Sequence, residues 1–306
     1  MAIVGTTLTE AGIKSEFFQR LGEVPSVWQD FCTVIKSNTK TEHYGFMGRT
    51  PPMSAWGTGR LARGMFSDTY DVTNERYEVT LEVDRIELDD DQTGQIRVRI
   101  GEMASRAAQH KDMLLAHLLA NGASAGYLSY DGVPFFDDAH ESGKSGIQSN
   151  LSAPAATDPD NPTSTEFRTA FGQAVAQLLG LLDDQGEPMN LSASGLVCVV
   201  PSSMYVPALE AISATMLAST QNVLAGAAKV ATLPHLSDSS CWYLLKTDVP
   251  VRAFIFQDRD PIEFNALEGK SDEGFLREKF LYGCRARYAM SYAYWQHGIH
   301  VDFTGA

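Results

Sequence analysis

From Phe280 to Tyr294 every second residue is aromatic, apolar or small: Phe280, Tyr282, Cys284, Ala286, Tyr288, Met290, Tyr292 and Tyr294. The positions between them include Lys279, Gly283, Arg285, Arg287 and Ser291. Strand side chains alternate between faces, so this period predicts one long strand, or two in line, with an apolar face and a basic face. A second strand is predicted from Tyr77 to Leu88, where Tyr77, Val79, Leu81, Val83 and then Ile86 keep period two with one slip. Between them in the chain the period changes. Ile96, Ile100, Met103, Ala107, Leu114 and Leu118 recur at spacings of three, four or seven. That is an amphipathic helix of about 25 residues, roughly 37 Å long. Asp89–Asp91 stands before it, where carboxylates suit the positive helix end. Asn121-Gly122 follows, and predicts a left-handed cap.

Helices are also predicted over Thr165–Leu182 and Val206–Ala218, and strands over Gly195–Val200, stopped by Pro201, and Ala253–Phe256. Strands and helices alternate without a regular βαβ period or internal repeat, which predicts an α+β protein with two sub-domains. Three segments fit neither period. Residues 1 to about 40 mix short amphipathic stretches (Ile13, Phe17, Phe18, Leu21) with polar connectors and read either as an arm packing on other subunits or as a first helix of the domain itself. His43–Tyr70 contains five glycines and two prolines, which prevent a stable helix, yet is too apolar for an idle solvent loop. It needs a partner surface. Residues 141–165 are polar and rich in Pro, Gly and Ser, an exposed connector.

At 306 residues and 44% hydrophobic content the chain can bury one large core or two modest ones. No apolar run approaches the ~20 residues that span a bilayer, and the N-terminal stretch has no basic and apolar regions of a secretion signal. Cys32, Cys198, Cys241 and Cys284 are widely separated, so buried thiols are expected rather than a zinc site or disulfides. A net charge of −14 argues against a surface made to grip phosphates.

Short catalytic motifs fail on context. Gly122-Ala-Ser124-Ala-Gly126 matches the nucleophile elbow, but the helix precedes the serine where a strand is required. Gly143-Lys144-Ser145 lacks the earlier glycine of a phosphate loop, which is Asp138 here. Gly57-Thr-Gly59 follows no parallel strand. His110 and His117 are about 10 Å apart on one helix, too far to share a metal. His297, His300 and Asp302 read as surface groups, and Asp137-Asp138 near His140 as a turn capped by its own aspartate.

The strand from Phe280 to Gln296, F-L-Y-G-C-R-A-R-Y-A-M-S-Y-A-Y-W-Q, closely resembles the C-terminal signature of the major head subunit of Mu-like bacteriophages and prophages. Glu78–Asp91, Tyr130–His140 and Trp242–Gln257 resemble segments of the same family in the same order. The resemblance implies the α+β shell fold of tailed-phage, herpesvirus and encapsulin capsid proteins. On this chain it implies an N-terminal arm (1–40), an extended loop crossing the neighbouring subunit (41–88), and a peripheral domain with a long spine helix (89–164). An axial domain follows (165–250), and then strands returning to the peripheral domain (251–306). It further implies a structural protein, neither enzyme nor cofactor nor metal binder, assembled with itself as hexamers and pentamers of an icosahedral head in the bacterial host cytoplasm. Scaffold, portal and decoration proteins are the implied further partners. The head encloses double-stranded DNA without reading its sequence, behind an acidic wall that repels it, with no membrane. An encapsulin-like compartment shell, or a cytosolic hydrolase using Ser124, are the alternatives.

Charge distribution adds a reason for head-to-tail assembly. Between His43 and Ser67 the charges are Arg49, Arg60 and Arg63, whereas Asp71–Asp91 is dense in carboxylates. A basic tip meeting an acidic root on a neighbour makes a heterologous contact. The expected contact residues are Phe46, Arg49, Trp56, Arg60, Arg63, Met65 and Phe66, with Glu78, Glu82, Asp84 and Glu87 as the acidic complement.

Overall fold

A computed structural model of the chain describes residues 10–47, 67–89, 94–217, 220–267 and 278–305. In chain order its first half runs α1 (Glu10–Glu23), α2 (Trp28–Phe31), β1 (Cys32–Lys36), β2 (Thr41–Met47), β3 (Ser67–Thr73), β4 (Glu75–Asp84), α3 (Arg85–Asp89) and α4 (Gln95–Asn121). The second half runs β5 (Leu151–Ser152), β6 (Ala155–Ala156), α5 (Ser164–Gly180), β7 (Leu196–Val200), α6 (Tyr205–Ser213), β8 (Met216–Leu217), β9 (Thr220–Gln221) and β10 (Lys229–Thr232). It ends with β11 (Cys241–Lys246), β12 (Phe254–Leu267), β13 (Lys279–Tyr292), β14 (Gly298–Asp302) and β15 (Thr304–Gly305).

Two sheets organise these elements. The first has the order β1-β12-β13-β4, with β13 antiparallel to both neighbours and β1 parallel to β12. The apolar positions of β13 turn inward: Phe280, Tyr282 and Cys284 pack with Val83 and Phe264 against Ile96, Ile100 and Met103 of α4. The second sheet has the order β10-β7-β11-β14-β5. Every residue of β7 and β11 is buried, as continuous apolar runs without alternation require when both faces are covered. Helix α5 covers one face, with Phe167 stacked on Trp242 at 4.6 Å. Its N-terminus is a reciprocal capping box between Thr163 and Glu166.

The long helix is present over 27 residues, but its end differs from expectation. Gly122 has φ −61°, not a left-handed value. A Cβ there would lie 2.6 Å from the Phe136 ring, so the glycine serves close approach rather than a positive φ. The strand expected to reach Leu88 stops at Asp84, whose Oδ1 accepts the Ile86 N–H at 2.9 Å and turns the chain into α3. The helix expected to reach Ala218 ends at Ser213 and gives way to the hairpin β8–β9. The strand expected over Ala253–Phe256 is instead the start of a 14-residue strand. Pro261 and register shifts between Asp258, Asp260 and Glu263 break the alternation that would have revealed it.

The expected arm largely belongs to the body. Ile13 and Phe17 of α1 are 1% and 0% exposed in the core against α4, and β1 is a strand of the first sheet. Residues 141–165 are also less free than a connector. Asn150 is wholly buried: its amide donates to the Phe135 carbonyl at 2.8 Å and accepts the Asp137 N–H at 2.9 Å. Of the C-terminal strands, β12 and β13 join the first sheet, whereas β14 sits between β11 and β5 in the second. A short turn does repeat. Leu128–Pro134 and Leu182–Pro188 share the pattern L-x-x-x-G-x-P, each closed by a bridge between its ends, with Gly132 and Gly186 at φ 85° and 83°.

Candidate assembly surface

Strands β2 and β3 pair from Thr41↔Thr73 out to Met47↔Ser67, forming a hairpin rooted on the first sheet. Tyr44 OH donates to Gln257 Oε1 at 2.7 Å, and Tyr70 OH lies 2.8 Å from Ser291 Oγ. Burial pushes the Tyr44 phenol up to about 12, so it stays a neutral donor. At the base, Glu42 accepts the N–H groups of Asn38 and Thr39 and the Ser37 hydroxyl, which hold its carboxyl at about 2. The hairpin is thus fixed where it leaves the body. Of the expected contact residues, Phe46 lies in β2, in register with Asp68. Arg49, Trp56, Arg60, Arg63, Met65 and Phe66 lie outside the described residues.

The acidic complement is spread over β4 and α3. β4 is an end strand of its sheet, and its outward positions form charge rows with β13 and β12. Glu78 faces Arg285, which in turn faces Glu263 and approaches it at 2.9 Å. Glu82 pairs with Lys279, and Asp84 caps Ile86. Glu87 is exposed and has no ion pair among the described residues. Most of the acidic root is therefore already engaged by its own chain. These pairs are solvent-exposed and add little stability each.

The remaining polar candidates pair off one by one. His110 Nδ1 lies 2.7 Å from Tyr288 OH, His117 bonds Tyr127 at 3.3 Å, and His297 bonds Asn190 at 2.9 Å. His297 is buried, not the surface group expected, and His300 stacks on Tyr243 with ring centroids 5.0 Å apart. Asp137 caps the Ala139 N–H at 2.8 Å, as the turn reading expects. Buried His140 instead reaches Asp131, 2.6 Å away, and stacks on Trp295 at 4.1 Å, a pairing no local spacing could reveal. Ser124 follows α4 in a tight turn, its N–H donating to the Asn121 carbonyl at 2.8 Å, so the strand of a nucleophile elbow is missing. The four thiols are buried, and burial pushes those of Cys32, Cys198, Cys241 and Cys284 up, away from thiolate chemistry. Sequence reading also missed an exposed apolar patch of Tyr205, Val206 and Leu209 on α6, with Met216 and Val223 exposed in the segment that follows. Its signal was available: Glu210 is the one charged residue between Ser202 and Ala228.

Residues 7–162 and 237–302 match the profile of the Mu-like prophage major head subunit gpT. The chain belongs to this family. It is 22% identical over 310 aligned positions to the Mu-like prophage FluMu major head subunit of Haemophilus influenzae, covering 99% of this chain and 77% of that protein. It is 30% identical over 127 positions to the major capsid protein of Escherichia phage Mu, covering 42% of this chain and 41% of that one. Its fold is similar to a chain of the bacteriophage JBD30 procapsid, with a TM-score of 0.59, 23% identity, and 96% and 73% of the two chains covered. As a member of this family the chain is a structural capsid protein of an icosahedral shell, not an enzyme, and the tailed-phage capsid fold is the α+β architecture described above. The compartment-shell and hydrolase readings are set aside. The stretch outside the family match, 163–236, carries α5, β7, α6 and the strands through β10, including the apolar patch.

Proposed function

We propose that this head subunit assembles as hexamers and pentamers around double-stranded DNA, and that the β2–β3 hairpin carries its tip onto a neighbouring copy. The observation that carries this reading is the hairpin itself: firmly rooted by Tyr44 and Tyr70, and leading into a Trp-, Met- and Arg-containing segment. The in-chain pairing of Glu82 and Asp84 moves the weight of that contact from charge to Trp56, Phe46, Met65 and Phe66. Arg49, Arg60 and Arg63 set orientation against Glu78 and Glu82. The first sheet with α1 and α4 forms the peripheral domain, and the second sheet with α5 and α6 forms the axial domain. The apolar patch on α6, with Glu210 as its one charge, lies on the axial domain, where identical copies carrying a net charge of −14 each can approach with little like-charge repulsion. Scaffold, portal and decoration proteins are its further partners in the host cytoplasm.

Electron microscopy with sizing of the purified chain, expressed alone or with its scaffold, tests this: capsomers or shells are expected. Ser124→Ala should assemble as the wild type does. Trp56→Ala should leave the subunit folded and weaken assembly by about 2 kcal/mol per contact. A stable monomer with esterase activity lost in Ser124→Ala would overturn the reading, and unfolding of the isolated Trp56→Ala subunit would return Trp56 to the core.

A further inference from the structure

Two apolar features, one on strand β4 and one just beyond its end, stay exposed. Its inward positions face α4, and Val83 is 1% exposed there. Val79, four residues earlier on the same face, is 36% exposed. At that point α4 and the sheet diverge and leave a cavity of about 430 Å³, floored by Val79, Ala107, Ile262 and Tyr288. Arg106 of α4 is among its lining residues, whereas Arg76 belongs to the outward row of β4, in register with Arg287. Arg106 has no ion pair with a carboxylate among the described residues. The one carboxylate in the lining, Glu78, accepts the Thr80 hydroxyl at 3.0 Å and faces Arg285 across the strands. An apolar lining beside the Arg106 guanidinium fits an apolar side chain next to a carboxylate.

The second feature matches that description. Just beyond the other end of β4, Ile86 on α3 is 60% exposed, and the exposed Glu87 follows it. Ile86 and Val79 are seven positions apart, roughly 20 Å along the same sheet edge at ~3.3 Å per residue. The two cannot meet within one chain. Knob and socket at different heights on one edge are complementary between copies and not within one.

We propose that Ile86 and Glu87 of one copy seat in this cavity of another copy, with Ile86 on Val79 and Tyr288 and the Glu87 carboxylate at the Arg106 guanidinium. The contact rests on the shell reading above and takes Glu87 out of the acidic set facing the hairpin tip. It is distinct from the tip contact because it uses the α4 side of the β4 edge.

Charge exchange tests it. Wild type, Glu87→Arg, Arg106→Glu and the double variant are compared by sedimentation velocity and electron microscopy over a range of protein concentrations at low salt. Thermal unfolding of the unassembled subunit serves as control. Each single variant should raise the concentration needed for assembly about tenfold, and the double should return close to wild type. All four should unfold at similar temperatures, because neither side chain has an ion-pair partner among the described residues. Ile86→Ser should weaken assembly without altering charge. Single variants that assemble normally, or losses that add in the double variant, would overturn the contact while leaving the shell reading intact. A defect with Arg106→Glu and none with Glu87→Arg would give the cavity to a different acidic partner and overturn the copy-to-copy contact. A wild-type chain that never assembles would sink the shell reading and this contact with it.

Discussion

At the scale of single residues, two carboxylates couple local structure to pH. Glu166 is held at about 2, against an ordinary 4.5, first by the backbone N–H groups of Thr157 and Thr163 and then by their hydroxyls. Glu42 is held at about 2 in the same way by Asn38, Ser37 and Thr39. A carboxyl depressed in the folded chain binds its proton more tightly when unfolded. Its contribution is therefore full above about pH 4.5 and is lost as pH falls toward 2. Glu166→Gln should lower thermal stability at neutral pH and flatten its fall between those limits. Parallel acid limbs for variant and wild type would count against the capping role. Gly122 supplies a second residue-scale expectation. The ring carbons of Phe136 would lie 2.6 and 2.9 Å from an added Cβ, so Gly122→Ala should cost about 1–3 kcal/mol in denaturant unfolding.

At the scale of elements, glycine has the opposite meaning inside α5. Gly172 is helical and exposed, and a Cβ there meets nothing within 4 Å. Gly172→Ala should stabilise the subunit by about 0.5–1 kcal/mol, measured by the same unfolding experiment. The two glycines look alike in sequence, each near or within a helical pattern. Only Phe136, brought in from the following turn, separates them. Element existence was legible wherever one period ran uninterrupted: α4, α5, β7 and most of β13 lie close to their expected spans. Element ends were not. The end of β4 is set by Asp84 capping Ile86, and the length of β12 is masked by bulges around Pro261. α2 has four residues, too few to show a period, and takes its cap from across the fold. Asp112 of α4 accepts the Val27 and Trp28 N–H groups at 3.0 and 2.9 Å.

At the scale of the whole molecule, the expectation that can be checked most simply concerns cross-linking. An inter-subunit isopeptide bond on the extended loop would need a lysine there, and the chain has none between Lys40 and Lys111. Arginine guanidinium groups stay protonated and are poor nucleophiles. Mature particles boiled in detergent under reducing conditions should therefore release a single band near 33.4 kDa. A ladder of multimers would refute this. The assembly then rests on non-covalent contacts, of which the hairpin tip and the β4 edge are the two proposed above.

The periodicity of apolar residues, the charge runs and the spacing of a few strings determined the α+β class, the long helix, the C-terminal strand and the kinship with head subunits. All of these depend on neighbours within one or two turns of chain, which a sequence displays directly. The tertiary structure decided what depends on distant partners. It bound α1 and β1 to the body, sent β14 into the second sheet, and buried His140 against Asp131 and Trp295. It also engaged Glu82, Asp84 and Glu78 within the chain, because Lys279, the Ile86 N–H and the Thr80 hydroxyl reach them through strand register and local turns. A sequence counts charges; which of them are left for a neighbour is set by the strands beside them.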